Sequence, residues 1–114
     1  MRILNKSKQT IISQQTKIAD SILSRLIGLL DQSSIDPQEA LIITYCRSIH
    51  MFFMRFSIDV IFVDKNNRAI GLIERIKPFQ ISPYFFRSHY AIELPPGKIQ
   101  ETKTTLGDVI AFEE

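Results

Sequence analysis

Residues 46–64 set a thiol, an imidazole, two guanidiniums and a carboxylate inside an apolar run: Cys46, His50, Arg47, Arg55 and Asp59 among Met51, Phe52, Phe53, Met54 and Phe56. Burying charge is costly unless it is paired, so this segment either solves a packing problem or holds a site. Cys46 and His50 stand four apart and would share one face of a helix, where they could ligate a metal. A structural zinc takes four ligands, however, and His89 is the only other imidazole, so no metal site is assigned. Cys46 with His50 or His89 could supply a nucleophile and a base, with Arg47 lowering the thiol pKa. The flanking residues match no nucleophile signature, and a small buried thiol beside a backbone-bonded His is the plainer reading. On a strand, alternation would send Met51, Phe53 and Arg55 to one face and Phe52, Met54 and Phe56 to the other. Core packing explains the Met and Phe residues, while Arg55 would suit a carboxylate or phosphate.

Asp59 and two further carboxylates, Glu93 and Asp108, fall on separate predicted strands. Ion pairs with Arg25, Arg47 or Arg55 account for them as well as acid–base chemistry does. There is no Gly-rich phosphate loop, Ser elbow or paired-Cys motif, and no cofactor is expected. The chain of 114 residues has room for one domain with a real core, 1–114. Hydrophobic residues make up 45% and charged residues 23%, which fits a globular protein rather than a disordered one. A formal charge of +2 is too small to argue for nucleic acid. Between Thr44 and Tyr90, seven Lys or Arg face three Asp or Glu, a mild basic bias that solvated cations explain. One Cys allows no internal disulfide, no secretory h-region opens the chain, and no apolar run reaches bilayer length. A reducing cytoplasm is the expected compartment, with no membrane partner.

The elements that must position these groups follow from period and punctuation. Lys8–Lys17 is β-branched and polar and reads as a strand with one wet face. From Ala19 to Leu30 the apolar positions 22, 23, 26, 27, 29 and 30 follow helical spacing, with Asp20 or Ser21 as cap and Gly28 near the end. Short strands are predicted at Ala40–Tyr45, Ile58–Val63, Ala69–Ile76, Tyr90–Leu94 and Asp108–Phe112. Asp64–Arg68 is the hairpin turn, its Asn residues tolerating positive φ. Pro78 and Pro83 bracket an aromatic loop, and Pro95-Pro96-Gly97 opens a polar connection. One helix followed by many short strands predicts a mainly β sandwich or barrel with a helix packed on it.

Several of these stretches together resemble the DUF192 family. They are Arg25-Leu26-Ile27-Gly28-Leu29-Leu30, the segment Cys46–Asp64, Ala91-Ile92-Glu93-Leu94-Pro95-Pro96-Gly97, and Leu106-Gly107-Asp108-Val109. Order and spacing agree from about Ala19 to Phe112. The resemblance implies a single compact, jelly-roll-like β domain with a helix in its N-terminal half. It carries no assigned reaction. Its motif positions here are Arg25, Gly28, His50, Met54, Asp59, Glu93, Gly97 and Asp108, of which Gly97 would serve a turn and Asp59 would pair with Arg25.

Three functions follow from these residues. The first is a small binding or accessory module for an anionic or apolar small molecule, with Arg47, His50, Met54, Arg55 and Asp59 as the candidate site. The second is an enzyme, possibly hydrolytic, using His50 or Cys46 with Asp59. The third is a nucleic-acid contact through Arg75, Lys77, Phe79, Tyr84 and Arg87, ranked below a small-molecule partner. The Phe79–Phe86 loop is also a candidate contact between copies, and the sequence carries no signature of oligomeric state.

Overall fold

Nine regular elements form among the residues that the computed structural model describes, 1–19, 34–52 and 54–114. In chain order they are β1 (Arg2–Asn5), β2 (Thr10–Ser13), β3 (Gln15–Ala19), β4 (Glu39–Thr44), β5 (Ile58–Asp64), β6 (Ala69–Ile76), β7 (Ser88–Leu94), the short helix α1 (Lys98–Glu101) and β8 (Ile110–Glu113). The strands divide between a three-stranded sheet, β2-β1-β8, and a five-stranded sheet, β3-β4-β7-β5-β6. The predicted mainly β class is the one observed. All pairings are antiparallel except β3 with β4. That parallel pair encloses residues 20–38, long enough for the crossover a parallel pair requires.

Strand β5 shows why the apolar run becomes a central strand. Ile58, Val60, Ile61, Phe62 and Val63 are all fully buried, because β5 lies between β7 and β6 and is covered on both faces. Alternation then distributes its side chains between two cores. Ile61 and Val63 join Ile42, Ile92 and Leu94 against Ile3, Ile12 and Ile110 of the smaller sheet. Ile58, Val60 and Phe62 point the other way, into a core with Leu41, Ile43, Ile49, Met51 and Met54. Among the described residues, irregular chain covers the second core. Each large aliphatic or aromatic side chain so buried stabilises the fold by about 1.5–3 kcal/mol.

Several predicted elements differ in detail. The single strand expected over Lys8–Lys17 is two strands, β2 and β3, which belong to different sheets. Gln14 and Gln15 both donate their amides to the Gln38 carbonyl, which turns the chain from one sheet into the other. Polar alternation marks both halves as strands but carries no signal for that corner. Arg2–Asn5 adds a strand to the N-terminus, and the connection after Pro96 contains α1. The described residues of Met51–Phe56 are irregular rather than extended, so the two-faced alternation does not apply. The helix predicted from Ala19 starts on the last residue of β3, and its remainder, with Arg25 and Gly28, lies outside the described residues. The Asp64–Arg68 turn is as predicted. Asp64 Oδ1 accepts from the amides of Asn66 and Arg68, each at 2.9 Å, and Asn67 takes φ 61°.

Candidate functional site

The chemistry-bearing segment is held by a second irregular stretch, residues 79–85. The Phe85 amide donates to the Arg47 carbonyl at 2.7 Å and the Ser82 amide to that of Ile49 at 2.9 Å. The Met51 amide donates to the Gln80 carbonyl and the Phe79 amide to that of Met51, both at 2.8 Å. Buried backbone groups outside regular ladders need such partners, and two serines supply the rest. Ser82 Oγ accepts from the Ile49 amide at 2.9 Å, and Ser88 Oγ donates to the Cys46 carbonyl at 2.6 Å. Phe85 pins the stretch to the sheet. Its ring lies 4.5 Å from that of Phe62, over Gly71, where an added Cβ would come within 2.6 Å of the ring.

Outside this seam the surface is aromatic and cationic. Tyr45, Phe52, Phe79, Ile81, Tyr84 and Phe86 are exposed, together with Arg47, Arg55, Lys77 and Arg87. Where Arg47, the β5–β6 turn and the start of β7 meet, a cleft of about 430 Å³ opens. Arg47, Lys65, Arg87, His89, Phe86 and Asn66 line it, beside Ser88 and the single acid Asp64. One Asp64 oxygen is occupied by the turn amides. The His89 ring meets Tyr45 edge-on at 5.1 Å. Nearby, burial raises the Tyr90 phenol pKa above its usual value, and the Asp64 charge adds to that shift. The phenol also donates to Asn67 Oδ1 at 3.0 Å.

The predicted site residues separate in space. Arg47 reaches the cleft. His50 is half-buried, stacks on Phe52 at 5.0 Å and bridges to Ile81, while Arg55 is exposed on a bend. Met54 is core, 4% exposed. Cys46 Sγ contacts the Ser48 carbonyl oxygen at 3.1 Å. Asp59 is fully buried, and backbone amides explain its burial. In β6 two residues, Glu74 and Arg75, oppose Asp59, a bulge that leaves the Arg75 amide outside the ladder. Asp59 Oδ1 accepts that amide at 2.9 Å, and Oδ2 accepts those of Gly97 at 3.1 Å and Ile99 at 2.9 Å. One carboxylate thereby satisfies a bulge and the first turn of α1.

Of the remaining motif positions, Gly97 takes φ +91° at the start of α1, a conformation that costs glycine little, as the predicted turn role requires. Glu93 is fully buried on β7. Asp108 accepts from Asn5 Nδ2 at 2.9 Å, Lys8 Nζ at 2.9 Å and the Thr105 amide at 2.9 Å. Burial alone would raise its pKa, but these bonds outweigh it and bring the carboxyl from 3.8 down to about 2. Arg75 and Lys77 are exposed near the seam, and Arg75 lines a separate groove of about 310 Å³ with Gln80 and Ile81.

Lys65, Phe86 and His89 join the cleft although their residue types did not single them out as ligand-binding groups. The interleaving in Phe86-Arg87-Ser88-His89 is the one sequence signal that points there. The approach of Arg47 to Arg87 depends on the Phe85–Arg47 bond, which joins positions 38 apart in the chain.

Two packed sheets, with irregular chain over one of them among the described residues, make this a mainly β protein. A profile of the DUF192 family, described as an uncharacterized ACR, matches residues 3–112. The chain belongs to that family. It is 37% identical to a UPF0127 protein of Pyrococcus horikoshii over 96% of this chain and 97% of that one. A UPF0127 protein of Thermococcus sibiricus is 33% identical over 97% of this chain and 74% of its own length. Among solved structures, a protein of unknown function from Novosphingobium aromaticivorans superposes with a TM-score of 0.80 at 15% identity, covering 97% of this chain and 82% of that one. That likeness concerns the fold alone. Among the described residues no helix is long and apolar enough to cross a membrane.

Proposed function

We propose that the protein is a binding module for a small anionic ligand, held in the cleft by Arg47, Lys65 and Arg87. One observation carries this reading. Three cations from separate parts of the chain converge on a space of about 430 Å³, opposed by the single acid Asp64. A volume of that size suits a small molecule, and guanidinium forks match carboxylate and phosphate oxygens. Phe86 supplies an apolar wall, and His89 a further polar group. Of the predicted candidates, Arg47 remains central, and His50 and Arg55 lie outside the cleft's lining.

Calorimetric titration with pyrophosphate and citrate tests the proposal. The intact chain is expected to bind at least one of them, and Arg47→Ala and Arg87→Ala should each weaken binding about tenfold or more, the effect of losing one charge-assisted hydrogen bond. If neither anion binds, or both variants bind like the parent, the reading is wrong.

A further inference from the structure

We propose that the cleft is one station on a track for single-stranded nucleic acid: Arg47, Lys65 and Arg87 take a phosphate, and bases stack on Phe86 and the exposed rings beyond it. The inference rests on the anion-binding reading of the cleft and names its ligand class.

The composition of the two joined segments is the first observation. Of 8 Phe and 3 Tyr in the chain, only Phe62 and Phe112 lie outside residues 44–57 and 77–90, which leaves nine of the eleven rings within them. Both His residues are there too, with Arg47, Arg55, Lys77 and Arg87 and not one Asp or Glu. In sequence these are two separate loops. The backbone bonds between residues 47–51 and 79–85 join them side by side, which the linear order did not disclose. Phe56 and Phe85 pack inward and Tyr90 packs on Phe112, while Tyr45, Phe52, Phe79, Tyr84 and Phe86 stay exposed.

Exposure is the second observation. Tyr45 is 81% exposed, Phe79 73% and Phe86 78%, values that packing within the chain does not explain. Exposed rings clustered in pairs, such as Tyr84 with Phe86 and Tyr45 with His89, mark an interaction site.

The chemistry then selects the occupant. Two copies joined symmetrically through this surface would set Arg47, Arg55, Lys77 and Arg87 against their equivalents, with no acid in either segment and Asp64 the single acid of the cleft. A lipid surface would be met with aliphatic tips as well as rings, but Ile81 is the one exposed aliphatic residue among the described residues of the two segments. A duplex conceals the faces of its bases. A single strand offers both what the cations need and what the rings need, a repeating phosphate and an unpaired base that stacks without sequence preference.

The test uses the full chain and a fluorescein-labelled 12-nucleotide RNA of mixed sequence, followed by anisotropy. The strand is expected to bind at least tenfold tighter than the same sequence as a duplex and tighter than adenosine monophosphate. Raising KCl from 50 to 200 mM should weaken binding by roughly 20-fold for about three neutralised phosphates. Phe86→Ala and Phe79→Ala should each cost about fivefold or more in affinity, with unchanged melting curves. Duplex binding as tight as strand binding overturns the proposal, as does indifference to both Phe variants. So does retention on phosphatidylglycerol vesicles in place of RNA, which would assign the surface to lipid. If pyrophosphate binds in an Arg47-dependent way but the RNA does not, the track fails and the small-anion reading stands. If neither binds, both fail.

Discussion

The two faces of the five-stranded sheet are covered by different means. One is closed by the smaller sheet, where side chains such as Ile3, Ile12 and Ile110 interdigitate with those of β4, β5 and β7. Its buried charges sit at the margins, where Asp59 holds α1 and Asp108 ties Asn5, Lys8 and Thr105. Among the described residues, the other face is covered by irregular chain, fastened by backbone bonds, Ser82, Ser88 and the Phe85 ring on Gly71. Regular ladders satisfy their own backbone and leave an apolar, closed interface. Irregular cover must be fastened group by group, and its outer side stays free to carry rings and cations. Both faces therefore carry a buried core, and the exposed rings and cations lie on the outer side of the second, as expected of loops on a rigid scaffold.

The largest test of this contrast is Asp59→Ala. Losing the carboxylate leaves the amides of Arg75, Gly97 and Ile99 without their acceptor, at a cost of about 4 kcal/mol or more in urea unfolding. A loss below about 1 kcal/mol would show that the bulge and helix do not depend on it.

On the other face Gly71→Ala drives a Cβ to 2.6 Å from the Phe85 ring and should destabilise by about 2 kcal/mol. Because Phe85 fastens the seam, this variant should also increase amide exchange in residues 79–85, whereas Asp59→Ala should act first on α1.

A smaller effect is expected from acid. The Asp108 carboxyl, at about 2 in the fold against an ordinary 3.8, contributes stability that is complete above pH 5 and is lost as pH falls from about 4 through 2. Its Lys8 partner is 32% exposed, so screening limits the loss to about 1–2 kcal/mol. Asp108→Asn should flatten that part of the pH–stability curve, and an unchanged curve would show that other groups cause it.

Phe79→Ser should change stability by less than about 0.5 kcal/mol, since the side chain is 73% exposed. A larger loss would mean that the aromatic surface is part of the packing after all.

Much of the fold was legible in the chain. The hairpin β5–β6 follows from an apolar run, an Asp-Lys-Asn-Asn turn and a second apolar run, all local signals. The corner at Gln14 was not, because it depends on the Gln38 carbonyl, and the bulge opposite Asp59 arises from register between strands. The candidate site was legible in part. Arg47 and Arg87 stand out as cations among rings, but their convergence with Lys65 required three loops to meet.

By itself the sequence determined the β class, the positions of the main strands, and the concentration of rings and cations in 44–57 and 77–90. These are properties of local pattern and composition, which period and residue type carry directly. Tertiary structure decided that Asp59 serves backbone amides, that two aromatic loops are bonded to each other, and that Arg47, Lys65 and Arg87 meet at one cleft. Those outcomes depend on hydrogen bonds between distant positions, and such bonds form only once the strands have paired.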